Sequence, residues 1–136
     1  MLDLILCVDD DPITLMLCKM VIAKSSFATE IITAQNGEEA LNYFDDLKLN
    51  NLGAEIKKYP SLVFLDLNMP VMDGWEFLDH FSKEEYATAF KNTKIIVLSS
   101  TIDPNDIEKS KTYPMVLDFL SKPITKEILE HLKERL

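Results

Sequence analysis

Five short apolar runs, separated by stretches with helical spacing, constrain this chain more than any other feature. Leu4–Val8 and Leu62–Leu65 are apolar at every position, as is Ile95–Leu98, while Ile31–Ala34 and Val116–Leu120 are weaker versions of the same pattern. A run with no polar alternation belongs to a strand covered on both faces. Between the runs the period changes. Ile13, Met16, Leu17, Met20 and Val21 follow the spacing of a helix with one buried stripe. Asn36-Gly37 opens a helix carrying Ala40, Leu41, Phe44 and Leu47, and a third helix carries Trp75, Phe77, Leu78 and Phe81. A fourth, over Pro104 to Lys111, has only Ile107 as a large apolar anchor, and a last one carries Ile128, Leu129, Leu132 and Leu136. Strands that alternate with helices, without hairpin turns, predict an α/β fold of type (βα)5: a doubly wound, five-stranded parallel sheet with right-handed crossovers. Asn50-Asn51-Leu52-Gly53 breaks the second helix and leaves a long connection within Asp45 to Pro60, and Ser82 to Thr93 reads as a helix end and loop.

Length and charge narrow the function. At 136 residues the expectation is one domain, 1–136, with no room for an output domain after the last helix. The net charge is −9 and Arg135 is the only arginine, so phosphate backbones and anionic membranes should repel the chain. No apolar run approaches the ~18 residues of a membrane span, and the N-terminus lacks the positive stretch of a signal peptide. Cys7 and Cys18 read as reduced core thiols, which together with the missing signal suggests a cytoplasmic protein.

In open parallel sheets, ligands bind beyond the carboxyl ends of the strands. Here those ends carry Asp9-Asp10-Asp11, then Asp66, then Ser99-Ser100-Thr101, then Lys122-Pro123. Asp11 precedes Pro12 and Asp103 precedes Pro104, a combination that starts helices, so Asp11 reads mainly as an N-cap. Asp9, Asp10 and Asp66 remain. Three carboxylates on one rim repel unless a cation sits among them, and oxygen-only ligands favour Mg²⁺ over zinc. His80 and His131 fall on helices, away from the rim, and read as surface residues.

Val8-Asp9-Asp10, Leu65-Asp66-Leu67-Asn68-Met69-Pro70 with Met72-Asp73-Gly74, Ile96-Val97-Leu98-Ser99 and Phe119-Leu120-Ser121-Lys122-Pro123 together resemble the receiver domain of two-component response regulators. The resemblance covers essentially the whole chain, with the four blocks in the family's order. It implies the flavodoxin-like strand order 2-1-3-4-5. It also implies that Asp66 accepts a phosphoryl group from a histidine kinase or histidine phosphotransfer protein. Asp9, Asp10 and Asp66 would hold Mg²⁺, with the main-chain carbonyl of Asn68 as a further ligand. Ser99 would bond the phosphoryl group, Lys122 would supply its cation, and Ser99 with Phe119 would form a switch. A cis peptide before Pro123 belongs to the same pattern.

By the same resemblance the chain would be a phosphorylation-controlled binding module for a downstream protein, monomeric or dimerising on phosphorylation. Its only chemistry would be Mg²⁺-dependent self-phosphorylation and self-dephosphorylation. Ser100 stands where the family usually has alanine, and Ser99 where threonine is commoner. Two other readings compete. Asp9-x-Asp11 imitates the nucleophile motif of haloacid-dehalogenase-type phosphohydrolases, but no acidic motif follows Lys122 at a strand end. A receiver-like module without phosphorylation is opposed by the complete set of Asp9, Asp10, Asp66, Ser99 and Lys122.

Overall fold

The computed structural model describes residues 1–136. In chain order the elements are β1 (Leu2–Val8), α1 (Pro12–Lys24), β2 (Ala28–Ala34), α2 (Gly37–Leu49), β3 (Leu62–Asp66) and α3 (Gly74–Phe81). They continue with α4 (Glu84–Ala89), β4 (Lys94–Ser99), α5 (Pro104–Ser110), β5 (Val116–Ser121) and α6 (Lys126–Lys133). All strand pairs are parallel, in the order β2-β1-β3-β4-β5. This is the expected flavodoxin-like α/β fold, with one additional helix.

The continuous apolar runs are buried on both sides of the sheet, as their composition requires. Leu6, Val8, Val63, Leu65 and Ile95 point to one face, where they meet Ala40, Leu41 and Phe44 of α2 and Phe77, Leu78 and Phe81 of α3. Ile5, Cys7, Leu62, Phe64, Ile96 and Leu98 point to the other, against Leu15, Cys18 and Ile22 of α1 and Leu129 and Leu132 of α6. Phe44 anchors the first layer, with its ring 4.7 Å from those of both Phe81 and Phe90. No helix is long and apolar enough to cross a membrane.

Four sequence expectations are corrected. The stripe on α1 is reversed: Ile13, Met16, Leu17 and Met20 are 46–63% exposed, and only Val21 of that set packs against the core. The helix is apolar on both faces, so spacing alone admits two stripes, and Leu15, Cys18 and Ile22 form the one that fits the sheet. Second, part of Ser82–Thr93 is the short helix α4 rather than loop. Six residues are too few to show a period, and tertiary contacts hold this helix. Its Tyr86 donates to Asp45 on α2 at 2.5 Å, and Lys48 of α2 lies 4.2 Å from the Tyr86 ring. Third, the second strand begins at Ala28, three residues before its apolar part. Finally, Leu136 lies beyond the end of α6 and is 47% exposed.

The reversed stripe yields a stability test. Leu15→Ala should cost about 2–5 kcal/mol, as for a buried leucine, while Met16→Ala should stay within about 0.5 kcal/mol of wild type. Urea unfolding of the two variants measures both values.

Candidate functional site

Strand register builds the site. Val8 pairs with Leu65, so the residues that follow, Asp9 and Asp66, leave the sheet at the same height. Asp66 pairs with Leu98, one residue before Ser99, and Ser99 pairs with Ser121, one residue before Lys122. Four segments distant in sequence therefore deliver their polar ends to one rim.

Asp9, Asp66 and Ser99 are buried there, and Asp10 is exposed beside them. Carboxylate oxygens of Asp9, Asp10 and Asp66 lie within 4.8 Å of one another. The Lys122 ammonium bridges two of these acids, at 2.5 Å from Asp9 Oδ2 and 3.2 Å from Asp66 Oδ1. Backbone N–H groups orient the carboxylates: Asp11 donates to Asp9 Oδ1 at 3.0 Å, and Leu67 donates to Asp66 Oδ1 at 2.9 Å. Ser99 Oγ accepts from the Thr101 N–H at 3.2 Å. Lys122-Pro123 is cis. Asn68 is exposed two residues beyond Asp66, and Phe119 is half-buried on β5.

The electrostatics follow from crowding. Burial and the charge of Asp9 raise the Asp66 carboxyl above the usual aspartate value, against the opposing pull of Lys122 and the Leu67 N–H. Burial would lower the Lys122 ammonium, but its bond to Asp9 and the charges of both acids outweigh that and raise it. The donor set is all carboxylate, and one lysine cannot neutralise three acids, so a hard divalent cation fits this cluster.

The remaining candidates fall where expected. Asp11 caps α1: its carboxylate accepts from Ile13 N at 2.9 Å and from Thr14 Oγ1 at 3.1 Å. With that side chain committed to the cap, the Asp-x-Asp hydrolase reading loses its general acid. Asp103 caps α5 in the same way through Asn105 N. Burial pushes the Cys18 thiol up to about 11 and raises Cys7 further, so both stay protonated in the core. His131 is exposed and His80 half-buried, both on helices.

Gly74 has a task that its place in the Met72-Asp73-Gly74 motif does not reveal. A Cβ there would stand 2.5 Å from the Asp66 carbonyl oxygen and 2.9 Å from Leu67 Cα. Its N–H donates to Leu67 O at 2.9 Å, which seats the start of α3 directly on the acid-bearing strand end. The visible trace of this in the sequence is Asp73 before Gly74 with Glu76 three residues on, which the structure shows as a full capping box.

Comparison with known proteins agrees with this geometry. The family model for the response regulator receiver domain matches residues 5–133. The chain belongs to the response regulator receiver family. A two-component response regulator from Cytophaga hutchinsonii superposes on this receiver with a TM-score of 0.85 at 30% identity, covering 98% of this chain and 96% of that one. The phosphorylated cyanobacterial phytochrome response regulator RcpA superposes with a TM-score of 0.72 at 26% identity, covering 99% and 91%. Among curated sequences, the probable methanogenesis regulatory protein FilR2 of Methanothrix harundinacea is 28% identical over 98% of this chain and 80% of its own length. The probable C4-dicarboxylate response regulator DctR of Halalkalibacterium halodurans is 29% identical, and this receiver spans 47% of its length. An acidic triad such as Asp9, Asp10 and Asp66 is typical of the Mg²⁺ site of receivers.

The raised Asp66 carboxyl has a definite sign. Between the unfolded and folded values the native state binds more protons than the unfolded chain, so stability falls as pH rises through that window. In metal-free protein, Asp66→Asn should therefore raise the melting temperature at pH 7. That gain should shrink as the pH is lowered toward 4. Melting curves of both proteins in EDTA across this range provide the check.

Proposed function

We propose that Asp66 is the acceptor of a phosphoryl group from a phosphohistidine protein, either a histidine kinase or a histidine phosphotransfer protein. The modified receiver would then signal by changing what it binds. The observation that carries this reading is the Lys122 ammonium held between Asp9 and Asp66 at the rim. A cation aimed at a nucleophilic carboxylate, with a buried hydroxyl at Ser99 nearby in the register, is what charge-spreading phosphoryl transfer needs.

In this mechanism an Asp66 oxygen attacks phosphorus, the P–N bond to the donor imidazole breaks, and an acyl phosphate forms. Asp9, Asp10, Asp66 and the Asn68 carbonyl are the residues that would hold Mg²⁺. When bound, the ion would offset the negative charge of the carboxylates and of the incoming phosphoryl oxygens. Lys122 exchanges part of its bonding to Asp9 for a phosphoryl oxygen, as a lysine point charge can. Ser99 Oγ gives up the Thr101 N–H and donates to another phosphoryl oxygen. Space opened beside β4 lets the half-buried Phe119 turn inward, which changes the surface of α5, β5 and α6.

The donor has a surface to rest on. Asp66 is only 6% exposed, so a donor histidine must enter over the rim, and α1 begins at that rim directly after Asp9-Asp10-Asp11. Ile13, Met16, Leu17 and Met20 then present the exposed apolar stripe to whatever covers it. Adaptable methionines in such a patch suit a protein surface. Residues 1–136 act in this reading as a single receiver unit.

Acetyl phosphate tests the chemistry without a partner. With Mg²⁺ it should add one phosphoryl group, labile to base and to hydroxylamine, and Asp66→Asn should abolish the labelling while melting cooperatively. Labelling that persists in this variant and maps to Asp9 would overturn the assignment and favour a phosphohydrolase.

A further inference from the structure

Helix α5 is joined to the acceptor segment by an aromatic contact that the phosphoryl chemistry leaves unused. Only Ser110 of its seven residues is buried, with Asp106 and Ile107 half-buried, so the core holds it weakly. Its other anchor is Trp75, the only tryptophan of the chain. Lys109 Nζ sits 4.4 Å from the centre of the Trp75 ring, and Tyr113, just beyond α5, stacks on the same side chain at 6.1 Å and 28°. Tyr113 in turn donates to Asp79 of α3 at 2.6 Å. Trp75 directly follows Gly74, whose backbone is packed on Asp66 and Leu67. Contact thus runs without a gap from the acceptor backbone to α5.

A second link reaches α5 at its N-terminal end. Ser99 Oγ accepts from Thr101 N–H, and only Ser100, Thr101 and Ile102 separate Ser99 from Asp103, the N-cap of α5. When Ser99 turns to a phosphoryl group, that bond is lost and the short link to α5 is released. The helix can then move only if the Lys109–Trp75 contact yields.

We propose that Trp75, clasped by Lys109 and Tyr113, is a latch that holds α5 in its resting position and thereby sets how readily the site retains a phosphoryl group. This rests on Asp66 being the acceptor. A contact made only in the resting state opposes the modified state by its own strength, and by linkage its removal favours phosphoryl binding equally. For a partly exposed cation–π contact that amounts to about two- to fivefold.

The test uses the full chain, beryllofluoride as the phosphoryl mimic with Mg²⁺, and Lys109→Gln, which removes the cation from an exposed side chain without adding a sulfur over the ring. Calorimetry should show beryllofluoride binding about two- to fivefold tighter in Lys109→Gln than in wild type, with Lys109→Arg restoring the wild-type affinity. In ligand-free Lys109→Gln, amide exchange over residues 104–113 should be faster than in wild type, and in wild type beryllofluoride should shift the Trp75 fluorescence. Equal affinities in wild type and Lys109→Gln would overturn the latch, as would a Trp75 emission that beryllofluoride leaves unchanged. Failure of the acceptor assignment has a different signature: wild type itself gives no binding heat, or Asp66→Asn binds the mimic as well as wild type does.

Discussion

Three carboxylates crowded within 4.8 Å, answered by a single ammonium, set the terms for the rest of this molecule. Of the three, Asp66 shows the cost: its burial and the charge of Asp9 hold its carboxyl above the usual aspartate value. A chain that only needed to fold would have no reason to gather them. Lys122 partly compensates the arrangement, and a divalent cation would complete the compensation. A site short of positive charge has affinity for whatever supplies it.

Holding such a cluster together requires a frame that does not relax. The parallel ladder supplies one, because Val8 against Leu65 and Asp66 against Leu98 fix the acids at one level. Close packing on both faces makes a slip in that register costly, since each side chain would move to the other layer and meet helices it does not fit. The close seat of Gly74 on the Asp66 carbonyl adds a third support from α3. Beyond Ser99, α5 buries only Ser110, so a weakly anchored helix directly follows the site.

The sheet and the rim were legible in the sequence for a physical reason. Strands covered on both faces leave unbroken apolar runs, and the runs that build the acid cluster end abruptly at its residues, as at Val8-Asp9 and Leu65-Asp66. The side of α1 that is buried was not legible, because both of its faces are apolar and the choice depends on the fit of Leu15, Cys18 and Ile22 to the sheet. That same two-faced composition leaves an apolar stripe exposed on α1. Helix α4 left no periodic trace because Tyr86 and Phe90 hold it through contacts with α2 and α3, not through its own spacing. The Trp75–Lys109–Tyr113 cluster was likewise invisible, being made from residues that only the fold brings together.

Magnesium binding read as thermal stability tests the central claim most directly. If carboxylate repulsion at the rim is relieved by a divalent cation, saturating Mg²⁺ should raise the melting temperature of wild type by several degrees, as mass action requires. Asp10→Asn should melt higher than wild type in EDTA, because one repelling charge is gone, and should gain much less from Mg²⁺. An equal Mg²⁺-induced rise in both proteins would contradict the account, because the metal would then be bound without the cluster on which this explanation of the site depends.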